Sequence, residues 1–240
     1  MRGNIARGAG YLTRGARLLN HPSLRAFVLV PLAINIVIFA SLIGVGFSYM
    51  SDLMDSMLAR IPDWLDFIEW ILWPLIGITV CLITGYLFTT LALLIASPFN
   101  ALLAEKAEEL ITGRSVDSLE GLSAALLAVP RGIAREMVKL LYYLPMALIV
   151  LLLSFIPGVG AIAWMLLGAW MMSIQFVDYP MDNHRKSFSQ VKAAVRSHRL
   201  SSMGFGGLVA ICAGIPLLNF FVVPAAVVGA TLLWCEELDQ

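Results

Sequence analysis

LLYYLPMALIVLLLSFIPGVGAIAWMLLGAWMMSIQFV, residues Leu140 to Val177, runs for 38 positions without a charged side chain and is interrupted near its middle by Phe155-Ile156-Pro157-Gly158-Val159-Gly160. With the turn removed, each arm keeps about 17 residues, near the lower end of what a helix needs to cross a bilayer core of ~30 Å. Two tight spans or a re-entrant hairpin fit that length. A helix pair this apolar finds no core large enough to cover it in a chain of 240 residues, so the stretch assigns the whole protein to the membrane class.

Composition points the same way. Of all residues 60% are hydrophobic and 13% charged, against a usual charged share near 25%, and the mean hydropathy is +0.86. With sixteen residues of each sign the net charge is zero, so bulk charge predicts no polyanionic partner and no nucleic acid; the electrostatic information lies in where the charges sit. Cys81, Cys212 and Cys235 lie in or beside apolar runs without CxxC or Cys/His spacing and read as buried thiols, not disulfides or metal ligands. His21, His184 and His198 form no metal set, and no cofactor is expected. The first apolar run begins only at Ala26 and is as long as a span, so the N-terminus reads as a retained anchor and not a cleaved signal.

Upstream of the opening stretch, residues 1–25 carry Arg2, Arg7, Arg14, Arg17 and Arg25 without an acidic residue and have the spacing of an amphipathic surface helix facing the cytoplasm. A first transmembrane helix is expected over 26–49, with Pro31 freeing a carbonyl and Asn35 one turn on. Ser51 to Glu69 holds five acidic residues against Arg60 and reads as an outer interfacial segment. A second transmembrane helix is expected over 70–95, opened by an aromatic belt of Trp64, Trp70 and Trp73 and closed by the breaker Ser97-Pro98. Cytoplasmic helices follow over 100–139, the first ended by Gly113 before a polar loop. Arg131, Arg135 and Lys139 recur every four residues along one face and lead directly into Leu140.

Downstream, Asp178 to Arg199 is polar and basic. A second apolar block, 200–235, repeats the first hairpin (140–177) in length and in a central Ile-Pro, here Ile215-Pro216. The expected fold is therefore a single all-α integral membrane domain, 1–240, in which two short hairpins form an internal repeat, both termini on the cytoplasmic side.

Five stretches resemble one family. Pro22-Ser23-Leu24-Arg25-Ala26-Phe27, Ser97-Pro98-Phe99-Asn100-Ala101-Leu102-Leu103-Ala104-Glu105, Val129-Pro130-Arg131 with Arg135-Glu136, Phe155 to Gly160, and Asp178-Tyr179-Pro180-Met181-Asp182-Asn183-His184 are similar to the CysZ-type sulfate permeases of bacterial inner membranes. The resemblance implies sulfate uptake feeding cysteine synthesis, two long transmembrane helices plus two partly penetrating helical hairpins, and a homo-oligomer in the inner-membrane bilayer. It also implies a sulfate site at the start of the first long helix. The family's Gly-Leu-Arg-Arg-like turn here reads Ser23, Leu24, Arg25, Ala26: serine replaces glycine, and alanine replaces the second arginine.

The residues themselves support an anion at that position. Pro22 suits the first helical turn, so the amides of Ser23, Leu24 and Arg25 are expected as unpaired donors at the positive end of the helix dipole, with the Arg25 fork beside them. The plainer alternative is that Arg25 reaches to lipid headgroups. Arg131, Arg135 and Lys139 suit the lining of an anion path with Glu105 or Glu136 as counter-charges, and suit equally a lipid-facing basic helix. Asn35, Gln175 and Asn219 are expected to hydrogen-bond between helices. In Asp178 to His184, Tyr179-Pro180 reads as a turn and the motif as a connector out of the hairpin.

Sulfate carries two negative charges, so entry into a cell held at about 100 mV, inside negative, costs roughly 4.6 kcal/mol. The chain has no GxxxxGK[ST] loop, leaving a channel-like or secondary route without direct nucleotide drive. The competing classes are a membrane scaffold whose hairpins wedge into one leaflet and an intramembrane enzyme built on Asp178, Asp182 and His184. No paired catalytic motif at membrane depth supports the latter.

Overall fold

The computed structural model describes residues 3–58, 69–115 and 129–239, and every regular element among them is helical. In chain order these are α1 (Ile5–Leu18), α2 (Pro22–Leu58), α3 (Glu69–Thr112), α4 (Val129–Leu153), α5 (Val159–Asn183), α6 (Phe188–Ser197), α7 (Arg199–Ala213) and α8 (Pro216–Leu233), closed by a π-helical turn (Trp234–Leu238). Among the described residues five segments are long and apolar enough to cross a membrane: Pro22–Ser56, Trp70–Phe88, Gly132–Leu153, Val159–Asn183 and Leu218–Leu238. Part of the acidic stretch, 59–68 with Trp64, and the polar loop from 116 lie outside the described residues.

Residues 29–96 form one compact unit, the facing parts of α2 and α3. Its surface is apolar: Ile36, Val37, Phe47, Ile71, Leu82 and Tyr86 are all more than half exposed, a pattern that suits hydrocarbon and not water. Several of its hydroxyls are satisfied inside their own helices, Ser41 donating to the Val37 carbonyl and Thr79 to that of Leu75, both at 2.8 Å. Phe39 and Phe88 pack tilted at 4.7 Å. The Asn35 amide oxygen is buried without a hydrogen-bond partner among the described residues, so no interhelical bond of that oxygen is seen there. Cys81 is a free thiol but exposed, not buried, because its face of α3 belongs to the apolar outer surface.

Residues 1–28 and 97–240 form the other unit. Asn4 caps α1 by accepting the amides of Ala6 and Arg7. The amphipathic face of α1 is used against protein: Tyr11 and Leu12 are buried and the helix lies across α7 and α8. Small residues permit the crossing, since a Cβ on Gly8 would collide with the Ser201 carbonyl and one on Gly15 with that of Ala225. Gly206 does the same for α7 against the Ala169 carbonyl of α5. Phe205 fills the centre and is wholly buried with Leu103, Ile174, Val177, Val227 and Leu233; burying a side chain of that size contributes about 1.5–3 kcal/mol.

Both hairpins show a gradient. Along α5, Ile162 and Met165 are exposed while Ile174 and Val177 are fully covered; along α8, Phe220 and Phe221 are exposed while Ala226 and Val227 are covered. The tips are therefore bare and apolar and the bases packed. The first turn uses Gly158 at φ +80, a left-handed value that favours glycine, and the second places Pro216 at the start of α8 behind an extended Ile215.

Two expected breaks are not breaks. α3 continues through Ser97-Pro98, joining the second span to the helix expected from 100, and ends at Thr112 where Gly113 takes φ +69. α5 likewise passes through Pro180 to Asn183, so Tyr179-Pro180 is helix and not a turn; the chain reverses at Arg185, φ +54. A proline removes one ladder bond, and ties close to each proline, Asn100 to Tyr179 and Asn183 to the Ala101 carbonyl, help to hold the two helices in place.

Candidate functional site

α2 begins at Pro22, and the backbone enters it through His21, whose amide donates to the Leu18 carbonyl at 2.9 Å. His21 caps the turn that the sequence presents as an anion cradle. The Leu24 amide donates to the His21 carbonyl at 3.0 Å, and the Ser23 amide faces His21 Nδ1 at 3.4 Å, with the Ser23 hydroxyl 2.6 Å from the same nitrogen. Leu24 is fully buried and anchors the turn, while Ser23, Arg25 and Ala26 are exposed. Arg25 donates Nε to the Asn20 carbonyl at 2.9 Å, which fixes the stem and leaves the two terminal guanidinium nitrogens without a partner among the described residues. The turn thus holds a pinned guanidinium with both terminal nitrogens open and a Ser23 hydroxyl and amide that face the His21 ring.

The basic row on α4 meets carboxylates of α5. Arg135 donates Nε to Asp178 Oδ1 at 2.8 Å and Nη2 to the same oxygen at 2.6 Å, while Nη1 reaches Asp182 Oδ1 at 2.6 Å and the Lys186 carbonyl at 2.9 Å. Lys139, its side chain 3% exposed, contacts Asp178 Oδ2 at 3.0 Å, the Gln175 amide oxygen at 3.1 Å and Glu136. Spacing explains the fit: 135 and 139 share a face of α4, and 178 and 182 share a face of α5. Glu136 serves as the expected counter-charge and Gln175 makes the expected interhelical bonds. The Arg131 side chain lies outside the described ones. No hydrogen bond among the described residues joins Ser23, Leu24, Arg25 or Ala26 to this network.

Sequence reasoning missed the partners. Asp178 and Asp182 sit in a motif singled out as a connector, and their i, i+4 spacing facing Arg135 and Lys139 is the signal that pairs the two helices.

The rest of that motif grips the end of α3. Asn183 donates to the Ala101 carbonyl at 3.0 Å, Asn100 to the Tyr179 hydroxyl at 3.4 Å, and His184 Nε2 lies 2.7 Å from Glu108 Oε1. Burial raises the Glu108 carboxyl above its ordinary value, with His184 opposing the shift. A cleft of about 450 Å³ opens here, lined by Glu108, Thr112, Arg114, Asn183, His184 and Asp239. Among the described residues no group of three metal-ligating side chains comes together.

Two acidic residues after α8, Glu236 and Glu237, are also committed. Glu236 takes both terminal nitrogens of Arg14, Glu237 accepts from Arg7 Nε at 3.0 Å, and the Tyr11 hydroxyl donates to Glu237 at 3.0 Å. Burial and the two carboxylates push the Tyr11 hydroxyl well up, so it stays a donor.

The family model described as sulfate transporter CysZ/etoposide-induced protein 2.4 matches residues 11–224. A protein named sulfate transporter CysZ from Pseudomonas aeruginosa (strain LESB58) is 44% identical over 233 residues, 96% of this chain and 95% of that one. The protein of the same name from Pseudomonas fluorescens (strain Pf0-1) is 44% identical over 236 residues, 97% and 94% of the two chains. That from Salmonella typhimurium (strain LT2) is 41% identical over 233 residues, 95% and 92%.

Proposed function

The chain belongs to the family of sulfate transporter CysZ and etoposide-induced protein 2.4, and from that premise we propose that it is a sulfate permease of a bacterial inner membrane, supplying sulfate for cysteine synthesis. The observation that carries this reading is the nearly full-length match to proteins named as sulfate transporters. The chain is thus read as a transporter and not an enzyme.

In this reading α2 and α3 supply the two long transmembrane helices, and the hairpins α4–α5 and α7–α8 enter the bilayer part-way. Two features support partial entry. α7 has 15 residues and rises only about 22 Å, short of a ~30 Å core. In the first hairpin the ion pairs of Arg135 and Lys139 occupy the base, leaving Leu140 to Leu153 as the apolar arm of α4, a rise of about 20 Å. Both termini are placed on the cytoplasmic side. The pairing of Arg7 and Arg14 with Glu237 and Glu236 keeps them together, and the arginines of the N-terminal segment favour that face.

Sulfate is taken first at Ser23, Leu24, Arg25 and Ala26, where the free ends of the Arg25 fork and the dipole of α2 favour a dianion. The row Arg131, Arg135, Lys139 flanks the path. Arg135 and Lys139 act there through their hold on Asp178, which fixes the hairpin wall. No step needs a metal or a nucleotide. Two long helices do not enclose an aqueous path alone, so a homo-oligomer completes it.

The test is sulfate flux into liposomes containing the purified chain. Uptake above empty vesicles that rises when the membrane potential is collapsed supports a permease for a dianion; flux equal to empty vesicles ends the proposal.

A further inference from the structure

The outer face of the first hairpin carries a groove of about 520 Å³ between α4 and α5, bounded at one end by the junction of α6 and α7. Its walls are Met146, Ile149 and Val150 of α4 with Ala163, Leu166 and Leu167 of α5. At the hairpin base the lining changes character. Tyr142 and Trp170 meet there, the indole N–H donating to the tyrosine hydroxyl at 3.2 Å. Beyond them Arg196, Arg199 and Met203 complete the lining; both arginines are exposed and neither has an ion-pair or hydrogen-bond partner among the described residues. Lys192, one turn before Arg196 on α6, lies over the Tyr142 ring at 4.6 Å and adds a third positive charge beside that end.

An apolar trough with an aromatic pair and unpaired guanidinium groups at one mouth has the polarity of a phospholipid molecule. From Tyr142 to Ile149 the groove follows α4 for about 10 Å, enough to seat the upper part of an acyl chain. The amphipathic rings suit the interface between chain and headgroup. The two arginines match a phosphate, which accepts planar, paired donors. No carboxylate competes for them among the described residues, in contrast to Arg135 and Lys139, whose charges are already taken.

We propose that this groove is a binding site for one anionic phospholipid, its acyl chain between α4 and α5 and its headgroup phosphate on Arg196 and Arg199. The site rests on the membrane placement of the first hairpin and is independent of sulfate transport. It gives the base of the hairpin a fixed depth, because the arginines are held at the level of the headgroups by a ligand that is itself anchored there.

The experiment is native mass spectrometry of the delipidated full-length chain titrated in detergent with dioleoyl-phosphatidylglycerol or with dioleoyl-phosphatidylcholine. One phosphatidylglycerol is expected to bind with clear preference over phosphatidylcholine. The double variant R196Q/R199Q should weaken phosphatidylglycerol about thirtyfold, at the scale of anionic-lipid recognition by two cations, and weaken phosphatidylcholine, whose phosphate charge is offset by its own choline, by much less. Ala163→Phe, which fills the trough without touching charge, should weaken both lipids. Equal binding of the two lipids, or phosphatidylglycerol binding that survives both R196Q/R199Q and Ala163→Phe, overturns the proposal. So does displacement of the lipid by millimolar sodium sulfate but not by sodium chloride of equal ionic strength, which would make the arginines a sulfate site. Sulfate flux measured after the same preparations are reconstituted into liposomes separates a failed lipid site from a failed permease.

Discussion

Arg135 and Asp178 are 43 positions apart and meet along one edge of the guanidinium, Nη2 and Nε both reaching Oδ1 of the carboxylate and Nε also Oδ2, with side chains 12% and 6% exposed. The pair ties the two arms of the first hairpin at its base, and the same carboxylate holds Lys139. Removing one member of such a pair leaves a buried charge and costs about 3–5 kcal/mol, whereas replacing both by apolar groups of similar volume is far better tolerated. Asp178→Ala should therefore lower the melting temperature sharply in detergent, and Arg135→Met with Asp178→Leu should recover part of the loss, the buried Lys139 then keeping Glu136 as its counter-charge. Equal melting of the double and single variants would show that the hairpin does not depend on the pair.

At the start of α2 the His21 ring occupies donors that the proposed sulfate site needs. Arg25→Ala should weaken sulfate by roughly tenfold to a hundredfold, the value of a charge-assisted bond of about 1.5–3 kcal/mol. His21→Ala should act the other way, tightening sulfate by releasing the Ser23 hydroxyl and amide. Isothermal titration of sulfate on the purified variants reads both, and a fall in affinity for His21→Ala would make the ring part of the binding site.

Two glycines on α1 should respond oppositely to the same substitution. A Cβ on Gly8 meets the Ser201 carbonyl, whereas one on Gly10 has open space. Gly8→Ala should destabilise by about 1–3 kcal/mol through overpacking, and Gly10→Ala should stabilise by up to about 1 kcal/mol through helix propensity. Thermal unfolding of the pair checks the docking of α1 directly.

Glu108 sets a pH dependence whose sign follows from its raised carboxyl. The folded state holds this proton more tightly than the unfolded chain does. Its contribution is fully present below the ordinary value of 4.5 and is lost as pH rises through the raised one. Glu108→Gln, permanently neutral, escapes that loss. The melting temperature of the variant relative to the original should climb between pH 4 and pH 7, and a difference that falls over that range would mean that His184 outweighs burial.

What the amino-acid order reveals here is mostly what hydrocarbon demands. Charge-free runs mark the apolar helices, and Gly113, Gly158 and Ile215-Pro216 mark ends and turns because each answers a local backbone requirement. The prolines at 98 and 180 mislead for the same reason: locally they are breakers, yet tertiary ties such as Asn183 to the Ala101 carbonyl outweigh one lost ladder bond. In the candidate site Arg25 is legible as a cation at a helix start, but the capping of that turn by His21 is not, since it depends on a ring rotamer. The basic row is legible as a row. Its neutralisation becomes visible only when Asp178 and Asp182 are set on the neighbouring helix, a contact across a turn that no window of sequence contains.

The ion pairs between α1 and the π-helical turn have a consequence for synthesis. Arg14 and Glu236 are 222 positions apart, so α1 leaves the ribosome long before the residues that hold it exist. Until α7, α8 and Glu236 follow, its apolar face with Tyr11 and Leu12 has no protein to cover it, and the membrane surface is the natural place for it to wait. Docking of α1 is then a late event in which a helix made first is sealed by residues made about two hundred positions later, and a chain cut short before α7 leaves the apolar face of α1 without its protein surface.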